Sequence, residues 1–273
     1  MKQTTIRIIK TIKHILIATI LILILFCIVF IASGAMELGV INTRIKVFKA
    51  RSSYECEKTI NGITTGIYKV IGKEDELVNF SKVLDVNTVS DTKIIGSNCD
   101  IFITNRNPLA SIKSAFVKDA VGMLADIVYI GHTNMIIDDG ASVIESVGLD
   151  EENGVRIKEN TWLDEMIRLG SSRENLIGVR IKNLKEDDRN IILNDIKGKV
   201  GLGYNYNFLF SFKNKYYCTD LITECVKKIN IRLNYDGLFK TGSDILVSNN
   251  VFIIFVLERV KEDKFNIYYL DME

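Results

Sequence analysis

Three side chains in this sequence are of the types that perform acyl transfer: Cys218, His132 and Glu145. In such chemistry a thiolate attacks a carbonyl, an imidazole moves the proton and a carboxylate orients the imidazole. The chain has two histidines, and His14 stands beside a long apolar run, so His132 is the histidine available to the rest of the protein. A lone histidine is more often structural than catalytic, so its surroundings must decide. The stretch Ile127 to Ile137 is rich in β-branched residues and reads as a strand with His132 in its middle. Asp138-Asp139-Gly140 is a turn signal, and Ala141 to Val147 reads as the returning strand. With Asp139-Gly140 as a two-residue loop, His132 falls opposite Val147, and Glu145 is its diagonal neighbour on the same face. Such neighbours are about 7–8 Å apart at Cα, within reach of long side chains. With Asp138-Asp139 as the loop, His132 falls directly opposite Glu145. Both registers keep the pair on one face, whereas a three-residue loop would separate them. Glu145 sits among Val143, Ile144 and Val147, an uncomfortable place for a merely solvated carboxylate.

Cys218 owes its interest to position. Leu221, Ile222, Cys225, Val226 and Ile229 define one apolar face of a helix, and Cys218 falls one turn earlier, at the N-terminus. Unpaired amides and the helix dipole favour an anion there, and a neighbouring imidazolium would depress the thiol pKa further. Cys225, two turns on, fits an ordinary buried cysteine better.

Around these residues the pattern alternates between strands and helices. Cys99 to Ile103 reads as a strand, broken by Asn105-Arg106-Asn107-Pro108. Ile112, Ala115, Phe116, Ala120, Met123 and Leu124 follow at helical spacing. Further strands are expected around Val155–Ile157, Leu176–Ile181, Val251–Leu257 and Phe265–Leu270. Helices are expected around Trp162–Leu169 and from Lys185 to Lys197, the latter ended by Gly198. Helices mixed with antiparallel hairpins define an α+β class. Residues 37–95 mix short β-like runs, such as Arg44-Ile45-Lys46-Val47-Phe48, with a weakly helical stretch near Glu74–Val78.

The N-terminus has a different character. The first 36 residues hold no acidic residue but carry Lys2, Arg7, Lys10 and Lys13, and an uncharged apolar run follows from Ile15 through Ala32. A run of about 18 residues crosses a bilayer as one helix. A signal anchor would keep its basic end in the cytoplasm, and a cleaved signal peptide would use Ala32-Ser33-Gly34-Ala35 as its exit. The run exceeds the usual length of a signal-peptide core, which favours the anchor. Cys27 lies inside it as a membrane-facing residue. The expected organisation is a basic cytoplasmic segment over 1–13, a transmembrane anchor over 14–34, a stalk or N-terminal elaboration over 35–95 and the functional domain over 96–273, outside the cytoplasm.

Composition narrows the partners. The 273 residues are 47% hydrophobic, and 35 basic against 34 acidic residues leave a net charge of +1. That balance gives no long-range attraction to nucleic acid. With five cysteines, no CxxC pair and two histidines, neither a zinc site nor any other cofactor is expected. Cys56 and Cys99 are a candidate disulfide pair outside the membrane, which spacing alone does not decide.

The segments Gly131-His132-Thr133-Asn134-Met135, Val143-Ile144-Glu145-Ser146-Val147-Gly148 and Tyr217-Cys218-Thr219-Asp220-Leu221 resemble those of the YiiX/YebB-like branch of the NlpC/P60 superfamily, the permuted papain-like cysteine hydrolases. The order histidine, acid, cysteine is the permuted one. Cys99-Asp100-Ile101-Phe102, with cysteine where glycine is usual, Gly154-Val155, Trp162, Gly203-Tyr204-Asn205 with Phe208, and Asp244-Ile245-Leu246 with Ser248 extend the resemblance over about residues 96–257. Thr219 replaces a usual serine and Asp220 a usual glutamate. The resemblance implies an antiparallel sheet packed on helices, with Cys218 as nucleophile, His132 as general base and acid, and Glu145 as the orienting group. It implies attack on an amide or ester through a thioester intermediate, with Tyr204, Asn205 and Tyr217 as candidate cleft residues. A cell-wall peptide is the first substrate expected. A lipid or acyl ester is the alternative within the fold, and a membrane-tethered binding domain without catalysis is the non-enzyme alternative.

Overall fold

The computed structural model describes residues 2–78, 80–105, 131–148, 153–169, 175–207, 211–233, 240–261 and 263–272. The helix expected behind Pro108, the start of the strand expected from Ile127, Phe208 and the side chain of Cys27 lie outside the described residues.

Helix α1 (Lys2–Lys49) is a single element about 70 Å long. From Ile15 to Ile31 the large apolar side chains that the structure describes are exposed, and by length and composition the helix can cross a membrane. Beyond that stretch the helix continues without a break. Leu38, Ile41, Ile45 and Phe48 recur at helical spacing and pack on the core, Ile41 and Phe48 being fully buried. The run Arg44–Phe48, whose alternation suggests a strand, is therefore helical, because propagating an existing helix that buries one face is easier than starting a new element. Arg44 locks the end of α1 in place. Its Nη1 donates to the carbonyls of Leu246 and Ser248 at 2.8 Å each, and Nη2 donates to Asn249 Oδ1. Lys49 adds an ion pair to Glu258 at 2.5 Å.

Strands β1 (Ser52–Ile60) and β2 (Ile63–Ile71) form a hairpin, followed by turns over Glu74–Val78 rather than a helix and by the short α2 (Val89–Thr92). Next come β3 (Ile101–Thr104), β4 (Thr133–Ile137), β5 (Ser142–Val147), β6 (Gly154–Glu159) and α3 (Trp162–Leu169). After β7 (Leu176–Ile181) and α4 (Glu186–Lys197) the chain makes β8 (Gly203–Tyr204), β9 (Lys215–Tyr216), α5 (Cys218–Val226) and α6 (Gly242–Val247). It closes with β10 (Val251–Lys261) and β11 (Lys264–Asp271).

Among the described residues, nine strands form one sheet in the order β1-β2-β11-β10-β7-β3-β4-β5-β6. Every neighbouring pair is antiparallel except β2 and β11, which run parallel from Thr64 opposite Lys264 to Ile71 opposite Asp271. The class is α+β, and the sheet is mixed rather than purely antiparallel. The cause is the segment expected as a stalk or elaboration: residues 35–95 supply two strands of this same sheet. Strands β8 and β9 pair separately.

The core is held between the sheet and its helices. Phe102 and Phe255 meet edge to face at 5.7 Å beneath Ile101, Ile103, Met135 and Val179. Leu221, Ile222, Cys225 and Val226 of α5 are fully buried, each such aliphatic side chain contributing about 1.5–3 kcal/mol. One charged pair is buried with them. Arg180 clamps Asp100 with two bonds of 2.7 Å, and Asp100 also accepts from the Ser97 amide. Cys99, at φ +68°, turns the chain so that β3 begins at Ile101 rather than at Cys99. Cys56, Cys99, Cys218 and Cys225 are all free thiols, so the candidate Cys56–Cys99 disulfide is not formed: Cys56 lies on the sheet's edge strand, and Cys99 is buried at the entry to β3.

Candidate active site

His132 immediately precedes β4 instead of sitting within it, although its carbonyl still accepts from Thr104 N at 2.9 Å. The residue before it is a glycine for a steric reason. A Cβ on Gly131 would stand 1.2 Å from the carbonyl oxygen of Thr104, so no larger residue fits without moving β3.

The hairpin that follows turns through Asp138–Ala141, four residues instead of two. Asp138, Asp139 and Gly140 all have positive φ, which Asp tolerates better than most residues. The longer turn preserves the parity. Asn134 lies opposite Glu145 and Ile137 opposite Ser142, the register that makes Glu145 the diagonal neighbour of His132. Glu145 Oε2 is 2.7 Å from His132 Nε2. The carboxylate is 2% exposed and the imidazole 25%.

Register carries a further partner to Glu145 from β6. Arg156 stands directly across from it and donates through Nε to Oε1 at 3.1 Å. Lys158 Nζ lies 3.9 Å from the same oxygen and 3.0 Å from Glu165 on α3. Burial works against the Glu145 carboxylate, but the hydrogen bond and charge of His132, then Lys158 and Arg156, outweigh it and hold its pKa down at about 2. Trp162, the first residue of α3, stacks on the imidazole with centroids 5.6 Å apart and 25° between planes. The ring is thus held at its edge by a carboxylate and on its face by an indole.

Nε2 is engaged by Glu145, so Nδ1 is the ring nitrogen that the carboxylate does not hold. Cys218 opens α5, a nine-residue helix whose preceding residue, Tyr217, supplies no side-chain cap, so the first-turn amides stay available to an anion. The thiol and the His132 ring lie close enough for each to shift the other's pKa. Burial opposes the thiolate. The His132 hydrogen bond and charge, followed by the backbone amide and side chain of Thr133, overcome burial and lower the Cys218 pKa to about 7. Burial likewise opposes the imidazolium, yet Cys218 and Glu145 raise His132 to about 9. Between these values the pair exists as thiolate and imidazolium, the state that attacks a carbonyl. Sγ also lies 3.9 Å from the Gly131 carbonyl and 3.9 Å from Thr219 Oγ1.

The three expected cleft residues have separate surroundings. Tyr204 packs on Gly148 and meets Tyr206 edge to face at 4.9 Å. Burial, then the Cys218 charge, pushes its phenol pKa up. Asn205 is buried, with Oδ1 accepting from Asn207 N at 2.9 Å and its own amide donating to the Tyr216 carbonyl. The Tyr217 hydroxyl accepts from Lys240 N at 3.2 Å and so joins the start of α5 to the approach to α6.

Gly131, Arg156, Lys158, Thr133 and Thr219 also belong to the site, and Trp162 serves it directly. Continuing the hairpin register into β6 would have found Arg156, because strand alternation alone puts it across from Glu145. The two threonines meet only through the docking of α5 on β4, which leaves no sequence signature. Among the described residues there is no group of three His, Cys, Asp or Glu side chains placed to hold a metal ion.

No family model matches the sequence, and no curated protein matches it. Among solved structures, the chain is similar to the crystal structure of the metalloprotein yiiX from Escherichia coli O157:H7, a DUF1105 protein. The identity is 13% and the TM-score 0.42, over 58% of this chain and 96% of that one.

Proposed function

We propose that this chain is a membrane-anchored cysteine hydrolase with a permuted papain-like domain of the YiiX/YebB-like NlpC/P60 type. The single observation that carries the reading is the meeting of the Cys218 thiol, at the head of α5 and 3.9 Å from the carbonyl of the residue before His132, with an imidazole whose Nε2 is 2.7 Å from Glu145. The Cys218 thiolate attacks the carbonyl of an amide or ester. The tetrahedral oxyanion is met by the Cys218 amide at the helix N-terminus. His132, as imidazolium, protonates the leaving amine or alcohol and the thioester forms. The neutral imidazole then takes a proton from water, hydroxide is delivered to the thioester, and the acid product leaves. Glu145 keeps the ring in register and favours the imidazolium, while Arg156 and Lys158 keep Glu145 ionised.

Helix α1 anchors the protein as a single span in the cell membrane. Its basic N-terminus lies in the cytoplasm and the domain outside, where cell-wall peptide amides are the substrates. A second reading, hydrolysis of a lipid or acyl ester, is favoured by the apolar surface of α1 from Ile15 to Ile31, which would bring the domain to the bilayer.

The decisive test is labelling by a thiol-reactive active-site probe. Wild-type protein should label at one site and Cys218→Ala at none; undiminished one-to-one labelling of the variant rejects the hydrolase reading. Incubation with peptidoglycan peptides and with phospholipids, followed by mass spectrometry, separates the two substrate classes.

A further inference from the structure

Thr133 is the first residue of β4 and Thr219 the second residue of α5, and their hydroxyl oxygens are 2.8 Å apart. Both side chains are buried, at 0% and 3% exposure. Two hydroxyls carry two hydrogens, and only one can lie on the line between the oxygens. The other is left over in a dry environment, where an unmet donor is costly. The acceptor beside the pair is the Cys218 sulfur. It lies 3.9 Å from Thr219 Oγ1, and Thr133 favours its charged form. With Thr133 donating to Thr219, the Thr219 O–H remains for the sulfur.

We propose that the Thr133–Thr219 hydroxyl pair is a positioning device for the nucleophile, delivering an O–H to the Cys218 sulfur when it is charged. The inference rests on the reading of Cys218 as nucleophile. Its logic is a difference between two states. The neutral thiol has its own acceptor, the Gly131 carbonyl at 3.9 Å, and no strong need of a donor. The thiolate takes up the spare hydroxyl hydrogen, and chained hydrogen bonds strengthen one another. The pair therefore favours the charged state and fixes where the sulfur points. The charged and titratable groups around the sulfur are His132 beside β4, Glu145 on β5 behind the ring, and Arg156 and Lys158 on β6 against Glu145. Tyr204 on β8, Tyr217, and Asp220 of α5 with its partner Lys240 complete the set. None of them replaces the hydroxyl.

The test is the rate of Cys218 alkylation by iodoacetamide between pH 5.5 and 10, resolved by peptide mass spectrometry on the full chain in detergent micelles. Wild type should be half-ionised near pH 7. Thr133→Val should displace the profile upward by about one pH unit, giving about fivefold slower alkylation at pH 7 and an unchanged rate at pH 10. Thr219→Ala should do the same by breaking the chain at its other end, and Thr133→Ser should restore the wild-type profile. Thermal melting identifies any variant that fails to fold. If Thr133→Val fails, Thr219→Ala and Thr133→Ser still decide the matter. Profiles of the folded variants that superimpose on wild type, or that fall equally at every pH, overturn the proposal. A wild-type thiol that ionises near pH 8.5 instead overturns the nucleophile reading itself.

Discussion

Cys218 and Cys225 lie two turns apart on one helix, both are buried, and burial pushes both thiols up. They nevertheless end in opposite conditions, Cys218 at about 7 and Cys225 at about 12. Both have a cationic neighbour, so the presence of a positive charge does not separate them. Its pairing does. Lys199 beside Cys225 is ion-paired with Asp195, and that carboxylate faces the same sulfur and opposes the thiolate. His132 also has a carboxylate partner, but Glu145 is bound to Nε2 of the ring, and it is the imidazolium that acts most strongly in favour of the Cys218 thiolate. Cys218 therefore meets the positive side of its ion pair, whereas Cys225 meets both sides at once. Position adds to this difference, because Cys218 stands at the helix's free amides and Cys225 at its far end.

The largest effect on that contrast should come from His132→Ala. Without the imidazolium, Cys218 faces burial much as Cys225 does, and its alkylation at pH 7 should slow on the order of fiftyfold, read by peptide-resolved mass spectrometry. Gly131→Ala should come next. Its Cβ collides with the Thr104 carbonyl and displaces the residue that carries the ring, so both Cys218 labelling and the melting temperature should drop. Glu145→Gln tests the far side of the ion pair. His132 is raised to about 9 partly by Glu145, so the variant should lose imidazolium at lower pH. In wild type the rate of Cys218 turnover should rise through about pH 7, as the thiolate forms, and fall through about pH 9, as the imidazolium is lost. In Glu145→Gln the alkaline limb should move toward neutrality, and the narrowed bell should show in a pH–rate profile. The smallest effect should come from Cys225→Ala, which should leave Cys218 labelling unchanged while costing about 1 kcal/mol of stability by denaturant titration.

These contrasts also show what the sequence could convey. His132 and Glu145 were readable as a pair because strand parity survives an error in loop length: four turn residues replace two, and the face is unchanged. Leu176–Ile181 and Glu186–Lys197 were readable from local periodicity and a terminating glycine. The partnership of β2 with β11 was not, because parallel pairing across some 200 residues leaves no local mark on either strand. Arg44–Phe48 misled for a related reason. Its alternating charges satisfy a strand pattern, while the helical spacing of Leu38, Ile41, Ile45 and Phe48 emerges only when the preceding apolar helix is continued into it. Thr133 and Thr219 look like ordinary polar positions in sequence; their hydroxyls become a pair only in the seam between β4 and α5.

Helix α1 has one more consequence. Its apolar length passes into the buried Ile41 and Phe48 without a hinge, and Arg44 bolts it to the end of α6. The domain is therefore mounted on a stiff post rather than hung on a cord. Any tilt or rotation of the apolar segment turns the domain through the same angle, so Cys218 and His132 keep one height and heading relative to that helix.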